Sequence, residues 1–412
     1  MEKVGIKKQA IVVLISILIG ISIGLAYFVF EFIVNEGSDW LWNSVLGSDI
    51  QRWRVIPIAI VLGLIYSLII KIFKQDQIIS SEPLSITDEI AQIKPTAVKD
   101  LVAIFVIGSF SLLAGASLGP EASLVALSIG IVAYVTGLIK NKNKGLTSVL
   151  ALSAITALLS SFFLSLVPLV IPYLFLFKQK KLTIFTFLIS TSAAVSAWFT
   201  VHLVKGEPFF VIPTAEEFNY KSILLAILFG FVAIVVTTIL KLLISKLAPL
   251  GVKLDNKLPW YISAALFALV IGLLYWIGGE TVQFSGNDGV QLLYETRASY
   301  TSIMFLGLMV VKILLTSWST VTGYRGGQVF PTVYTAIAMS LGIGTFFALP
   351  FILESGVTIG AVTGVFIGML NPLIGAVLAI SLFPIGIIPV TIAAIIGGTV
   401  GSKVINQVKT RQ

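Results

Sequence analysis

The chain has 412 residues, 57% of them hydrophobic and only 11% charged, with a mean hydropathy of +1.03. Soluble domains carry roughly a quarter charged residues, so the composition excludes a water-soluble globular protein and indicates an integral membrane protein. The net charge of +8 gathers in short basic clusters, Lys140/Lys142/Lys144, Lys178/Lys180/Lys181 and Lys403/Lys409/Arg411. These read as topology signals and lipid-headgroup contacts, with attraction of anions into a vestibule as the second reading. No cysteine is present, which excludes disulfides and thiol chemistry.

In chain order, apolar segments fall near 9–34, 54–73, 98–114, 120–139, 147–177, 182–204, 221–249, 258–278, 301–319, 328–352, 357–382 and 384–404. A membrane-crossing helix needs about 20 apolar residues, and several of these suffice alone. The first follows MEKVGIKK and exceeds the roughly 7–15 residues of a signal-peptide core, so it reads as a retained helix. Lys3, Lys7 and Lys8 before it favour a cytoplasmic N-terminus. With apolar segments along nearly the whole length, the expectation is one transmembrane domain over 1–412 in the cell membrane, crossing it many times. The tail from Lys403 is too short for a regulatory module.

Some segments are short or broken. GASLGP separates 98–114 from 120–139, and Asn371-Pro372 interrupts 357–382. Broken helices are tolerated in a bilayer only where their ends are buried in protein or line a wet cavity. The polar stretch 75–100 reads as a loop with short helical turns.

Gly119-Pro120-Glu121-Ala122-Ser123 can be laid on Gly327-Gln328-Val329-Phe330-Pro331, 208 residues later in a chain whose half-length is 206. SSFFLS (160–165) lies about one half-chain before GMLNPL (368–373). The expectation is two repeats, about 1–205 and 206–412.

Gly119-Pro120-Glu121 has the form of a helix start, since proline is favoured at the first helical position. A helix start presents free N–H groups and the positive end of the dipole, which makes it an anion site. An ionised Glu121 would itself be the anion there; protonated or swung aside, it would leave the site open. The competing reading is a carboxylate that only caps its own helix. TGYRGGQVFPTVY (322–334) has the same logic without an acid: Gly326 and Gly327 allow close backbone approach, and the N–H groups of Gln328 and Val329 would point inward. Arg325 either pairs with a carbonyl or raises the local potential. Lys312 reads as snorkelling or carbonyl-bonded.

Other chemistry is thinly represented. His202 is the only histidine, and neither HExxH nor a P-loop occurs, so no metal, cofactor or nucleic acid is expected and the chain does not read as an enzyme. A lipid-modifying intramembrane enzyme is the distant alternative. Glu31 reads as paired or interfacial, and SGNDG (285–289) as a polar turn.

LGPEASLV resembles the Gly-Arg-Glu-Gly-Pro motif of the CLC chloride channel and transporter family, which begins a helix with the gating glutamate. KILLTSWSTVTGYRGGQVFP (312–331) is similar to that family's Lys-x-x-x-Thr helix running into Gly-Gly-x-Phe-x-Pro, and NPLIGAV (371–377) to its Ala-Pro-Leu-x-Gly helix. The resemblance implies an all-α membrane fold of two inverted-topology repeats with broken and re-entrant helices. It also implies a homodimer that passes chloride or a similar small anion. By this likeness Glu121 takes the gating position, and the anion-binding candidates are Ser80, Gly119, Pro120, Gly327, Gln328, Val329, Phe330 and Phe383. The departures are specific: the motif's Arg, Gly and Pro become Pro120, Ala122 and Ser123, and its phenylalanine becomes Val329 with Phe330 next. The first family motif falls on ISSEPL (79–84), matching only Ser80 and Pro83. No tyrosine follows Tyr334, so Phe383 or Pro384 stands near the family's central tyrosine. The stretch PYLFLFKQKK (172–181), where exchangers often carry an inner proton-relaying glutamate, has no acid. Proton coupling therefore stays open, with a passive or fluoride-selective channel as the alternative.

Overall fold

The computed structural model describes residues 6–44, 52–74, 96–139, 143–204 and 208–409. Among these, fifteen α-helices carry the fold: α1 Ile6–Ser38, α2 Val55–Ile72, α3 Val98–Leu113, α4 Glu121–Leu138, α5 Lys144–Phe163, α6 Val170–Lys178, α7 Ile184–Val204, α8 Tyr220–Lys257, α9 Trp260–Gly278, α10 Asn287–Glu295, α11 Ser302–Val321, α12 Val329–Phe346, α13 Phe351–Met369, α14 Pro372–Leu382 and α15 Ile388–Lys409. Eleven described helices are long and apolar enough to cross a membrane, which makes the chain a multi-pass integral membrane protein.

The main departures from the expected boundaries have local reasons. The apolar run 147–177 is broken after Phe163, where Leu164 takes a left-handed φ of 44° and Pro168 opens a short 3-10 turn before α6. The run 328–352 stops at Phe346, because Ala348 is left-handed (φ 47°) and Pro350 caps α13. Helix α8 continues past Pro249 to Lys257; at 1.5 Å per residue its 38 residues reach about 57 Å, well beyond a bilayer core.

The residues form two compact units. In the first (1–33, 82–108 and 122–210), α1 packs on α7 through small residues. Gly20 and Gly24 abut the backbone of Ala193 and Ala197, while Ser16 Oγ donates to the Ile189 carbonyl (2.6 Å) and Ser196 Oγ to that of Ile17 (3.1 Å). In lipid, helices gain little from apolar burial against one another, so close backbone approach and interhelical hydrogen bonds hold them together.

In the second unit (34–81, 109–121 and 211–412), α13 carries Gly356, Gly360, Gly364 and Gly368 at four-residue spacing on one face. A Cβ at any of these would collide with Ser222, Ala226, Gly230 or Thr237 of α8. The same unit contains every atom of the site described next.

Candidate functional site: two facing helix starts

Helix α3 ends at Leu113 and α4 begins at Glu121; α11 ends at Val321 and α12 begins at Val329. Each interval is a seven-residue turn, and its non-helical backbone must be satisfied inside the protein wherever water is excluded. The two turns do this with the same bonds, exchanged. Gly119 N–H donates to the Gly327 carbonyl and Gly327 N–H to the Gly119 carbonyl, both at 2.7 Å, as an isolated antiparallel bridge. Ser117 N–H donates to Ser319 Oγ (3.1 Å), and Arg325 N–H donates to Ser111 Oγ (2.8 Å). Gly115 and Gly323 both have left-handed φ, 88° and 86°, a conformation glycine adopts without steric cost. Tyr275 Oη donates to the carbonyl of Gly115 (2.8 Å) and Tyr66 Oη to that of Gly323 (2.9 Å). Each of these partners in one turn has its counterpart about 208 residues away in the other.

The exchange fails at one place. Val329 N–H donates to Glu121 Oε1 at 2.9 Å, and Val329, at the matching position, has no carboxylate to return the bond. The backbone N–H groups of Phe330 and of Glu121 itself also face the carboxylate. Glu121 Oε2 is buried and finds no hydrogen-bond partner among the described residues. The carboxylate lies over both bridge glycines: a Cβ on Gly327 would strike its Cδ and Oε1, and one on Gly119 would strike Oε2. Glu121 therefore does more than cap its own helix. It occupies the dipole-positive start of α12, a position that favours negative charge.

A family model described as voltage gated chloride channel matches residues 62–402. The chain belongs to this family. YfeO of Escherichia coli O1:K1, which carries the name of an ion-transport protein, is 25% identical over 338 residues, covering 79% of this chain and 77% of YfeO. Among solved structures, a slow cyanobacterial Cl⁻/H⁺ antiporter superposes with TM-score 0.74 at 16% identity, covering 95% of this chain and 94% of that one. A CLC-type fluoride/proton antiporter superposes with TM-score 0.71 at 16% identity over 96% of each chain. At such identities the structural likeness establishes the fold.

The other candidate residues of this CLC-family chain divide clearly. Pro120 stands one place before the first helical residue and shares the seat's turn with Gly119. Phe330 is buried, its ring 3.0 Å from where a Gly119 Cβ would lie. Gln328 caps α12 through its carbonyl, which accepts from the Thr332 N–H (3.2 Å), so the bond to Glu121 comes from Val329. Phe383 is buried at the C-cap of α14, and the hydrogen bonds that seat Glu121 do not include it. Ser80 and Pro83 lie outside the described residues. Helix α6, covering most of the acid-free stretch, is as apolar as the sequence reading expects.

Lys312 is carbonyl-bonded. Fully buried, its Nζ donates to the carbonyls of Val282 (3.0 Å), Gln283 (3.3 Å) and Phe284 (2.7 Å) and stands 4.9 Å from the Tyr334 ring centroid. Phe284 N–H in turn donates to Tyr275 Oη (2.8 Å), so Lys312 braces the tyrosine that holds Gly115. Glu31 is buried in the first unit beside Tyr27. His202 stacks on Trp198 (5.4 Å between centroids). No group of three or more metal-ligating side chains occurs among the described residues.

Sequence reasoning missed Glu354. It is 1% exposed in the first turn of α13, with Arg297 Nη2 donating to its Oε2 at 2.9 Å, and a Cβ on Gly344 would strike that oxygen. The available signal was the acid itself: FILESG places a carboxylate inside an apolar run, and such residues are functional or structural suspects in any bilayer segment.

Proposed function

We propose that the chain carries chloride or a similar small inorganic anion across the membrane between the starts of α4 and α12, with Glu121 as tethered competitor and gate. One observation carries this reading: a carboxylate from one half of the chain accepts the N–H at the helix start of the other half, at 2.9 Å. Helix starts replace an anion's lost hydration with N–H donors and dipoles, without which burial of the charge would be prohibitive. Protonation removes the negative charge that holds Glu121 over the bridge glycines and frees the seat. Flux therefore rises as pH falls. Family membership supports a transport role and a homodimeric assembly, and the exchanged hydrogen bonds of the two turns support two repeats meeting at the bridge.

The second reading is a passive or fluoride-selective pathway, favoured by the absence of any acid in 172–181. Proteoliposome flux with chloride, fluoride and nitrate, recorded alongside a pH electrode, separates these readings. Proton movement in fixed ratio to anion indicates exchange, anion flux without it indicates a channel, and no anion flux from inserted protein removes the proposal.

A further inference from the structure

The backbone bonds around the Gly119–Gly327 bridge follow a local two-fold pattern, and the side chains at 121/329 and 122/330 break it at the carboxylate. Three reciprocal relations, the bridge itself, the serine–N–H pairs and the tyrosine–glycine pairs, are satisfied in both directions. Helices α4 and α12 each begin two residues after a bridge glycine, and each has 18 residues. Glu121 Oε1 on Val329 N–H is thus half of a symmetric arrangement. Its mate would be a carboxylate at 329 accepting the N–H of residue 121, the first N–H of α4, which has no acceptor in the helix backbone and is faced in this chain by Glu121's own carboxylate.

Two features keep that mate seat closed. Position 329 is valine, and the Phe330 ring lies against Gly119, where the mate carboxylate would rest; the equivalent of Phe330 in the first turn is Ala122. A helix start alone would not establish a seat. Here a carboxylate already occupies one member of the pair, and its buried, unpartnered Oε2 lies over Gly119 of the other.

The bridge is antiparallel, so the chain passes through its two glycines in opposite directions. In sequence α4 is followed by Lys140, Lys142 and Lys144, a basic cluster that the positive-inside rule assigns to the cytoplasmic side. In sequence α12 is followed by FALP (347–350), which carries no basic residue. By that rule an acid at the start of α4 would close the site from the side away from the basic cluster, and one at the start of α12 would close it from the cytoplasmic side.

We infer that the α4 and α12 starts are interchangeable carboxylate seats, and that Val329 with Phe330 fixes the sidedness of gating by leaving the second seat unused. This rests on Glu121 acting as the gate. The test uses full-length chain in right-side-out and inside-out membrane vesicles, with pH lowered on one face at a time and chloride flux as readout. Glu121→Val alone is expected to lose pH dependence from both faces; if it keeps it, the gate reading fails. E121V/V329E/F330A is expected to regain pH dependence, now from the cytoplasmic face, while E121V/V329Q/F330A stays insensitive. Glu121→Gln in place of Glu121→Val provides the same exchange in an isosteric background. If the Glu121 variants lose pH dependence but the exchange restores none, or restores it from the original face, the inference is overturned. It is overturned equally if the chain folds with V329Q/F330A but with V329E/F330A in neither background, since that seat then cannot hold a carboxylate.

Discussion

Two buried glutamates stand in the first turns of membrane helices here, and each lies against a glycine bordering or near the end of α12. Glu121 rests on Gly327, just before α12, and accepts a backbone N–H; Glu354 rests on Gly344, near its other end, and accepts a guanidinium. Residue type and helix position match, and the donor makes the difference. A backbone N–H carries a partial charge that any small anion can use, so in the proposed function its carboxylate is the displaceable ligand. Arg297 brings a full charge in fixed geometry, so Glu354 is a strut between α13 and the turn that follows α10. Burial of an acid in a membrane protein thus marks importance, and its partner decides the kind.

The comparison breaks most sharply at Glu121→Gln. Proteoliposome flux should continue, equal to or faster than in the parent, with its pH dependence and any coupled proton movement gone. The matching Glu354→Gln should leave the flux profile as in the parent, and a pH-independent Glu354→Gln would mean that both acids gate.

Arg297→Ala separates the two by stability. Breaking a fully buried ion pair costs about 3–5 kcal/mol. With the Arg297 side chain 39% exposed, solvent screening brings the expected loss to about 2 kcal/mol. Detergent-solubilised protein should unfold at lower temperature with an unchanged pH response. The glycines give a finer contrast. Gly327→Ala and Gly344→Ala each overpack a carboxylate, at about 1–3 kcal/mol. The first should also weaken pH gating by lifting Glu121 from its seat, and the second should show only in thermal melts.

The smallest expected effects concern the two clamps. Tyr66→Phe removes one hydroxyl donor to a glycine carbonyl, worth about 1 kcal/mol. Tyr275→Phe should cost more, because its oxygen also accepts the Phe284 N–H. Equal losses would mean that the Lys312 brace contributes nothing through Tyr275.

Much of the fold was legible from local pattern. Apolar length marked the crossings, Asn371-Pro372 marked the α13–α14 break, and Gly-Pro marked the start of α4. The misplaced boundaries, at 164–169 and 347–350, arise where non-glycine residues are left-handed inside apolar runs, which hydropathy alone does not register. The spacing of 208 residues between the glycine turns was readable; the reciprocal bonds that fill it were not. Of the candidate residues, Glu121, Gly119, Gly327 and Val329 come together, whereas Phe383 does not join their hydrogen bonds. Glu354 was passed over because its helix was expected to begin after it.

By itself the sequence determined the membrane class and, to within a residue, the helix starts at 121 and 329, because these follow from hydropathy and from proline and glycine chemistry within short windows. Only the tertiary structure decided that Glu121 spends its charge on the N–H of Val329 and Glu354 on Arg297. Those partners lie 208 and 57 residues away. A hydrogen bond forms where donor and acceptor are brought within about 3 Å, a condition set by the packing of the whole chain.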